Sequence, residues 1–99
     1  MKVRFSEEAL RDLRRIGDYI AKDSPLRGRE FVSELRSRAM QLAENPLAFP
    51  LVPRYEHSGI RRRVFRSYLI FYLVEGDIVY IVHILHGAQD YEAILFPDA

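Results

Sequence analysis

Cysteine and tryptophan are both missing from the 99 residues, and the chain carries few lysines. Without cysteine, neither a disulfide framework nor a thiolate metal site can form, which fits a reducing compartment. Long apolar runs are missing as well. No stretch approaches the ~20 apolar residues that a membrane-spanning helix needs. The start, Met1-Lys2-Val3-Arg4-Phe5, has no apolar core of the signal-peptide kind. A cytoplasmic protein with no membrane partner is the expectation. No Gly-rich phosphate loop, nucleophile elbow or paired-carboxylate motif is found either, and no cofactor is expected.

What is present fits a small globular domain. A chain of this length buries about two-thirds of its unfolded surface on folding, enough for one core with little margin. One domain spanning residues 1–99 is expected. The apolar share of 48% and the charged share of 29% argue against disorder. The net charge is only +1, but it is unevenly placed. From Arg54 to Arg66 five arginines face Glu56 alone, and from Glu75 onward there is no Lys or Arg. Arginine outnumbers lysine thirteen to two. Its planar fork grips carboxylates and phosphates in a bidentate way, which suits a protein that meets an acidic partner. High-GC coding and solvated helix faces would produce the same bias.

Hydrophobic periodicity gives the order of elements. Lys2 to Phe5 alternates as a short strand. Ser6 is a good N-cap, followed by Glu7 and Glu8 where they complement the helix dipole. Leu10, Leu13, Ile16, Gly17, Tyr19 and Ile20 then recur at three- and four-residue steps, predicting an amphipathic helix that ends near Asp23. Ser24-Pro25 restarts the chain as cap and first helical residue. Phe31, Leu35, Ala39 and Leu42 mark the stripe of a second helix, widened by Val32 and Met40 and stopped by Asn45-Pro46. The short link between the two helices reads as an antiparallel hairpin. Leu47 to Gly59 reads as an irregular connector. Strands follow at Ile60–Phe65, Tyr68–Val74 and Ile78–Leu85, the last two joined by a turn at Glu75-Gly76-Asp77. The expected fold class is α+β, in the order β-α-α-β-β-β, with a tail from His86 to Ala99.

The last two strands are apolar or aromatic on both alternating faces, apart from His83. Such strands need cover on both sides of their sheet. One helical hairpin covers one face, so the other must be closed by the tail, by the connector or by another chain.

Three groups of residues invite a chemical reading. His83 and His86, three apart on a strand, point to opposite faces and lack a third donor, so no metal site is expected. Arg61-Arg62-Arg63, with Arg66, Tyr68 and Tyr72, form a basic and aromatic patch of the type that holds nucleic acid. Strand alternation puts Arg61 and Arg63 on one face and Arg62 and Arg66 on the other. The same charges would also protect an edge strand from aggregation. Finally, His86, Asp90 and Tyr91 offer a general acid and base, and Arg61 a cation for phosphorane charge, although no local spacing demands that chemistry.

Gly59-Ile60-Arg61-Arg62, then Tyr68-Leu69-Ile70-Phe71-Tyr72, then Ile84-Leu85-His86-Gly87-Ala88-Gln89-Asp90 resemble the C-terminal half of ParE toxins. Ala9, Asp12, Leu13, Ile16 and Tyr19, with Phe31, Leu35 and Asn45-Pro46, match the first half. Each motif is weak alone; their shared order over nearly the whole chain is specific. The resemblance to the ParE/RelE superfamily implies a helical hairpin on a mainly antiparallel sheet. It also implies a ParD-like antitoxin whose C-terminal segment folds across the toxin, with DNA reached only through that antitoxin. ParE relatives are associated with inhibition of DNA gyrase, and RelE relatives with messenger RNA cleavage on the ribosome. On the gyrase reading there is no catalytic residue, and Arg61, Arg62, Arg63, Tyr68, Tyr72 and His86 are candidates to touch antitoxin or target. On the RNase reading Arg61, His86 and Tyr91 are catalytic, and a third reading is a non-toxic module that only binds its antitoxin. Arg61 matches a characteristic family arginine. Gln89 stands where ParE sequences often carry Arg.

Overall fold

A computed structural model describes residues 1–99. Strand β1 (Lys2–Phe5) leads into helices α1 (Glu7–Ala21) and α2 (Pro25–Met40), and a short 3-10 turn (Gln41–Ala43) prolongs α2. Strands β2 (Arg61–Phe65), β3 (Tyr68–Glu75) and β4 (Ile78–His86) follow, and the chain closes with the short helix α3 (Tyr91–Leu95). The sheet order is β1-β4-β3-β2. β1 runs parallel to β4, and the other two pairings are antiparallel. The expected α+β class and β-α-α-β-β-β order are what the structure has. The five-residue helix inside the tail was not expected.

Both caps form as their residue types dictate. Ser6 Oγ accepts from Ala9 N–H at 2.9 Å, and Ser24 Oγ accepts from Arg27 N–H at 3.3 Å. The two helices cross at Gly17 and Gly28, where the backbones come so close that a Cβ on Gly28 would lie 2.8 Å from the Gly17 carbonyl oxygen. The stripe that α1 buries is Ala9, Asp12, Leu13 and Ile16; Leu10 and Tyr19, counted as apolar-face residues, are exposed. On α2, Leu35 and Ala39 are buried as expected, whereas Met40 is half exposed. Amphipathic periodicity locates the helices, but a stripe six residues wide outruns the arc that a sheet can cover.

The helix face of the sheet holds the larger core: Leu13, Ile16, Leu35, Leu42, Ile70, Tyr72, Ile81 and Ile84 belong to one cluster. The opposite face has its own cluster of Val52, Leu69, Phe71 and Leu85, packed by Tyr55 and Ile60 from the connector and by Tyr91, Leu95 and Phe96 from the tail. Connector and tail together therefore close the second face, so the apolar strands do not of themselves require another chain.

One extra residue lets β4 serve both cores. The ladder slips between Phe71 and Tyr72, which pair with His83 and Ile81 and leave Val82 as a bulge. Before the bulge Val79 and Ile81 face the helices; after it Ile84 does, and Leu85 turns to the tail. Helix α1 and its N-cap satisfy the backbone groups that the bulge frees. Ser6 Oγ donates to Val82 O at 2.7 Å, and Asp12 Oδ2 accepts from Ile84 N–H at 2.9 Å. His83 Nδ1 lies 2.7 Å from the same Asp12 oxygen, and Arg15 Nη2 donates to Asp12 Oδ1 at 2.8 Å. This buried carboxylate is thus a fully used anchor between helix and bulge.

Candidate functional site

The three consecutive arginines of β2 are divided by the pleat as expected, and each is engaged inside the chain. Arg61 Nη1 donates to the carbonyls of Phe49 at 2.7 Å and Leu47 at 3.4 Å, pinning the connector to the sheet. Arg63 Nη1 donates to Arg38 O at 3.0 Å and Gln41 Oε1 at 3.2 Å. Burial, then the neighbouring Arg38 charge, lowers the Arg63 pKa from its ordinary value. Arg62 turns to the other face, where Nη1 donates to the Tyr91 hydroxyl at 2.7 Å. Arg66 departs from the expected pairing with Arg62. It occupies the β2–β3 turn at φ 55° and reaches helix α2, with Nη2 3.8 Å from Glu34 Oε2. A turn breaks strand alternation, so parity does not extend from Arg62 to Arg66.

Tyr68 and Tyr72 differ sharply. Tyr72 is fully buried and its hydroxyl donates to Pro46 O at 2.7 Å, so it has no surface to offer a partner and is a core residue. Burial raises its pKa above the ordinary phenol value, against the opposing pull of Arg61. Tyr68 is partly exposed, its ring 5.4 Å from Phe31 and edge-on to His86 at 5.1 Å. At the end of β4, His86 Nδ1 accepts from Ala88 N–H at 3.0 Å, while Gln89 Oε1 accepts from His86 N–H at 2.9 Å. Gln89 holds this tight turn, a role that the sequence pattern did not disclose.

The candidate catalytic trio is not assembled. Arg61 is paired with Tyr72 and His86 with Tyr68, on strands either side of β3. Four residues of β3 separate these positions by about 13 Å, and two strand spacings add roughly 10 Å across the sheet. Tyr91 lies on the tail face, its ring 5.2 Å from Phe71 and its hydroxyl taken by Arg62. No placement of one phosphodiester reaches all three.

A different surface converges. Between α1 and α2 runs a groove with a volume of about 620 Å³, with Leu13, Ala21 and Val32 in its lining and Arg14, Arg29 and Arg36 beside them. None of these arginines makes an ion pair within the chain. Asp18 is the acidic residue among the lining groups. The signal for it was present in the sequence as the glycines at 17 and 28, which permit the close helix crossing beneath the groove.

Residues 3–91 match the model of the ParE toxin of the type II toxin–antitoxin system parDE. The chain belongs to the ParE toxin family. It is also 35% identical over 89 residues to toxin RelE2 of Caulobacter vibrioides, covering 89% of this chain and 97% of that protein. Its fold is similar to that of a solved chain of the chromosomal ParDE system from P. aeruginosa, with a TM-score of 0.74 and 20% identity over 87% of this chain and 95% of that one. A chain of the RelBE2 toxin–antitoxin complex from Mycobacterium tuberculosis is similar with a TM-score of 0.65 and 23% identity, over 89% of this chain and 92% of that one. The ParE/RelE family of type II toxins is thus established by sequence, and the solved structures share its fold.

Proposed function

We propose that this ParE-family chain is a toxin that acts by binding, with DNA gyrase as its target, in the cytoplasm. The observation that carries a binding mechanism is the dispersal of Arg61, His86 and Tyr91. Ribonuclease chemistry needs a base, an acid and a cation around one phosphate, each acid–base group contributing about 10²–10⁴-fold. Here the groups lie on two faces and at opposite ends of the sheet. No helix is long and apolar enough to cross a membrane, which is compatible with that location.

The α1–α2 groove is the surface we assign to a ParD-like antitoxin. Its arginines make no ion pair within the chain, and its apolar lining suits the face of an amphipathic acidic segment. Arg62, Arg63, Tyr68 and His86 stay candidates for partner contact in the part of each side chain left exposed. Arg61 acts first as a clamp on the connector.

The test is a supercoiling assay with purified gyrase and the full chain. Inhibition that is relieved by the cognate antitoxin, and that stays within about tenfold of the parent for His86→Gln and Tyr91→Phe made separately, is the expected result. Unimpaired gyrase together with ribosome-dependent messenger RNA cleavage, abolished by either substitution, would establish the RNase alternative instead.

A further inference from the structure

A second concave site lies away from the α1–α2 groove, where the end of α1, the start of α2, the β2–β3 turn and the end of β4 meet. Its volume is about 330 Å³, and Arg27, Phe31, Arg66, Ser67, Tyr68 and His86 line it. We propose that this pocket binds a phosphorylated nucleoside, with the base against the Phe31–Tyr68–His86 wall and the phosphate between Arg27 and Arg66.

The rings supply the apolar half of the site. Tyr68 stands between the other two, 5.4 Å from Phe31 and 5.1 Å from His86. Contacts of a base with aromatic side chains are tolerant of base identity, since every base has a π-face. The polar half is unspent. His86 Nδ1 is occupied as an acceptor from Ala88, which leaves Nε2 to carry the proton and donate outward. The hydroxyls of Ser67 and Tyr68 make no hydrogen bond within the chain, unlike that of Tyr72. The two guanidiniums have weak competitors. Arg27 meets Asp23 and Arg66 meets Glu34, each at 3.8 Å and each between exposed side chains, beyond hydrogen-bond reach. An incoming phosphate offers both arginines shorter, charge-assisted bonds.

The backbone supplies an independent observation. Arg66 has φ 55°, a left-handed conformation that glycine or asparagine would adopt at less cost. Arg66 also lies over the Phe65 ring, 5.4 Å away, and this costly backbone conformation sets its side chain in the pocket lining. The other non-glycine residue at positive φ, Arg54, is tied to Glu92 inside the chain; Arg66 has no comparable partner.

A free nucleotide and the end of a single strand share this chemistry, and the experiment separates them. The full chain is titrated with adenosine monophosphate, with inorganic phosphate, and with a 5′-phosphorylated tetranucleotide carrying a 3′ fluorophore. Both nucleotide probes should bind at least tenfold tighter than inorganic phosphate. Arg66→Gly should weaken them about tenfold while leaving the melting temperature unchanged or raised, because glycine relaxes the turn. For the strand, the slope of log affinity against log salt should fall by about 0.7 in that variant, the value of one phosphate contact. Arg66→Lys should keep the slope. A tetranucleotide that binds tenfold tighter than the mononucleotide identifies a strand as the source, and equal affinities identify a free nucleotide. Phosphate binding as tightly as nucleotide, an affinity indifferent to Arg66→Gly, or tighter capture of an aspartate-rich peptide would each overturn the proposal.

Discussion

The two faces of the sheet are closed by unequal means. On one, helices of 15 and 16 residues lay down a continuous core in which Leu35, Tyr72, Ile81 and Ile84 have no exposed surface. On the other, a five-residue helix and an irregular connector cover Leu69, Phe71 and Leu85. The helix face is stitched by two capped helices and the Asp12 anchor. The tail face is held by the Arg62–Tyr91 bond, the exposed Arg54–Glu92 ion pair, and Tyr55 stacked on Phe96 at 4.0 Å. An ion pair at the surface contributes little, about 0–1 kcal/mol. The difference teaches that equal apolarity on both faces of a strand does not mean equal permanence. A face held by one short helix and a connector is expected to open locally before the molecule unfolds globally.

The largest expected effect tests that inequality directly. Leu35→Ala on the helix face should cost about 2–5 kcal/mol of global stability by chemical denaturation. Phe96→Ala on the tail face should cost roughly 1–2 kcal/mol, through lost area and stacking. Its clearer signature is faster amide exchange confined to α3 and the end of β4. Equal global losses from the two substitutions would erase the distinction.

A smaller effect sharpens the account of the helix face. Asp12→Ala removes the acceptor for Ile84 N–H and the partner of His83 and Arg15. A buried donor left without a partner costs about 1–3 kcal/mol. Exchange protection should be lost first at Val82–Ile84 rather than across the whole sheet, and unchanged protection there would remove Asp12 from the role of anchor.

The smallest effect is one of pH. Burial raises the Tyr72 pKa above its ordinary value of 10.0, and Tyr68 shifts the same way for the same reason. A group with a raised folded pKa contributes fully below the unfolded value and loses that contribution as pH rises through the folded one. Stability should therefore be flat with respect to these groups below pH 10 and decline above it. Tyr72→Phe should flatten the alkaline decline while costing about 0.5–1.5 kcal/mol at neutral pH for the lost bond to Pro46. An alkaline limb of unchanged steepness would show that another group drives it.

Much of this architecture was legible in the sequence, because Ser6, Ser24-Pro25, Asn45-Pro46 and Glu75-Gly76-Asp77 punctuate the chain with side chains whose backbone preferences are strong. The bulge at Val82 was not legible. Every residue from Ile78 to Val82 is apolar or aromatic, so nothing in the pattern marks where the parity changes. That one slip also concealed the contact of His83 with Asp12. An acidic residue three positions from Ala9, on the buried stripe of α1, was the available clue to the anchor. Tyr72 illustrates the opposite failure. It reads as part of a basic and aromatic patch along the chain, yet β3 carries it into the core. Helix α3 was hidden by its length, since five residues display barely more than one turn of periodicity. The site suffered most, because Arg27 and Phe31 join Arg66, Tyr68 and His86 through tertiary placement, and no local spacing encodes that meeting.

The glycine crossing carries a consequence for how such a toxin can change over time. At Gly28 the hairpin's gauge is set by backbone, since a Cβ there would lie 2.8 Å from the Gly17 carbonyl oxygen, whereas a Cβ on Gly17 would meet the Val32 side chain. A single methyl group at Gly28 acts as a shim, forcing the two helix axes apart and altering the groove along its length rather than at one contact. Rim arginines can drift one at a time, each adjusting affinity by a small step. A change at Gly28 instead re-dimensions the whole groove at once, so any partner shaped to the old width would be lost in one mutation and could be recovered only by many.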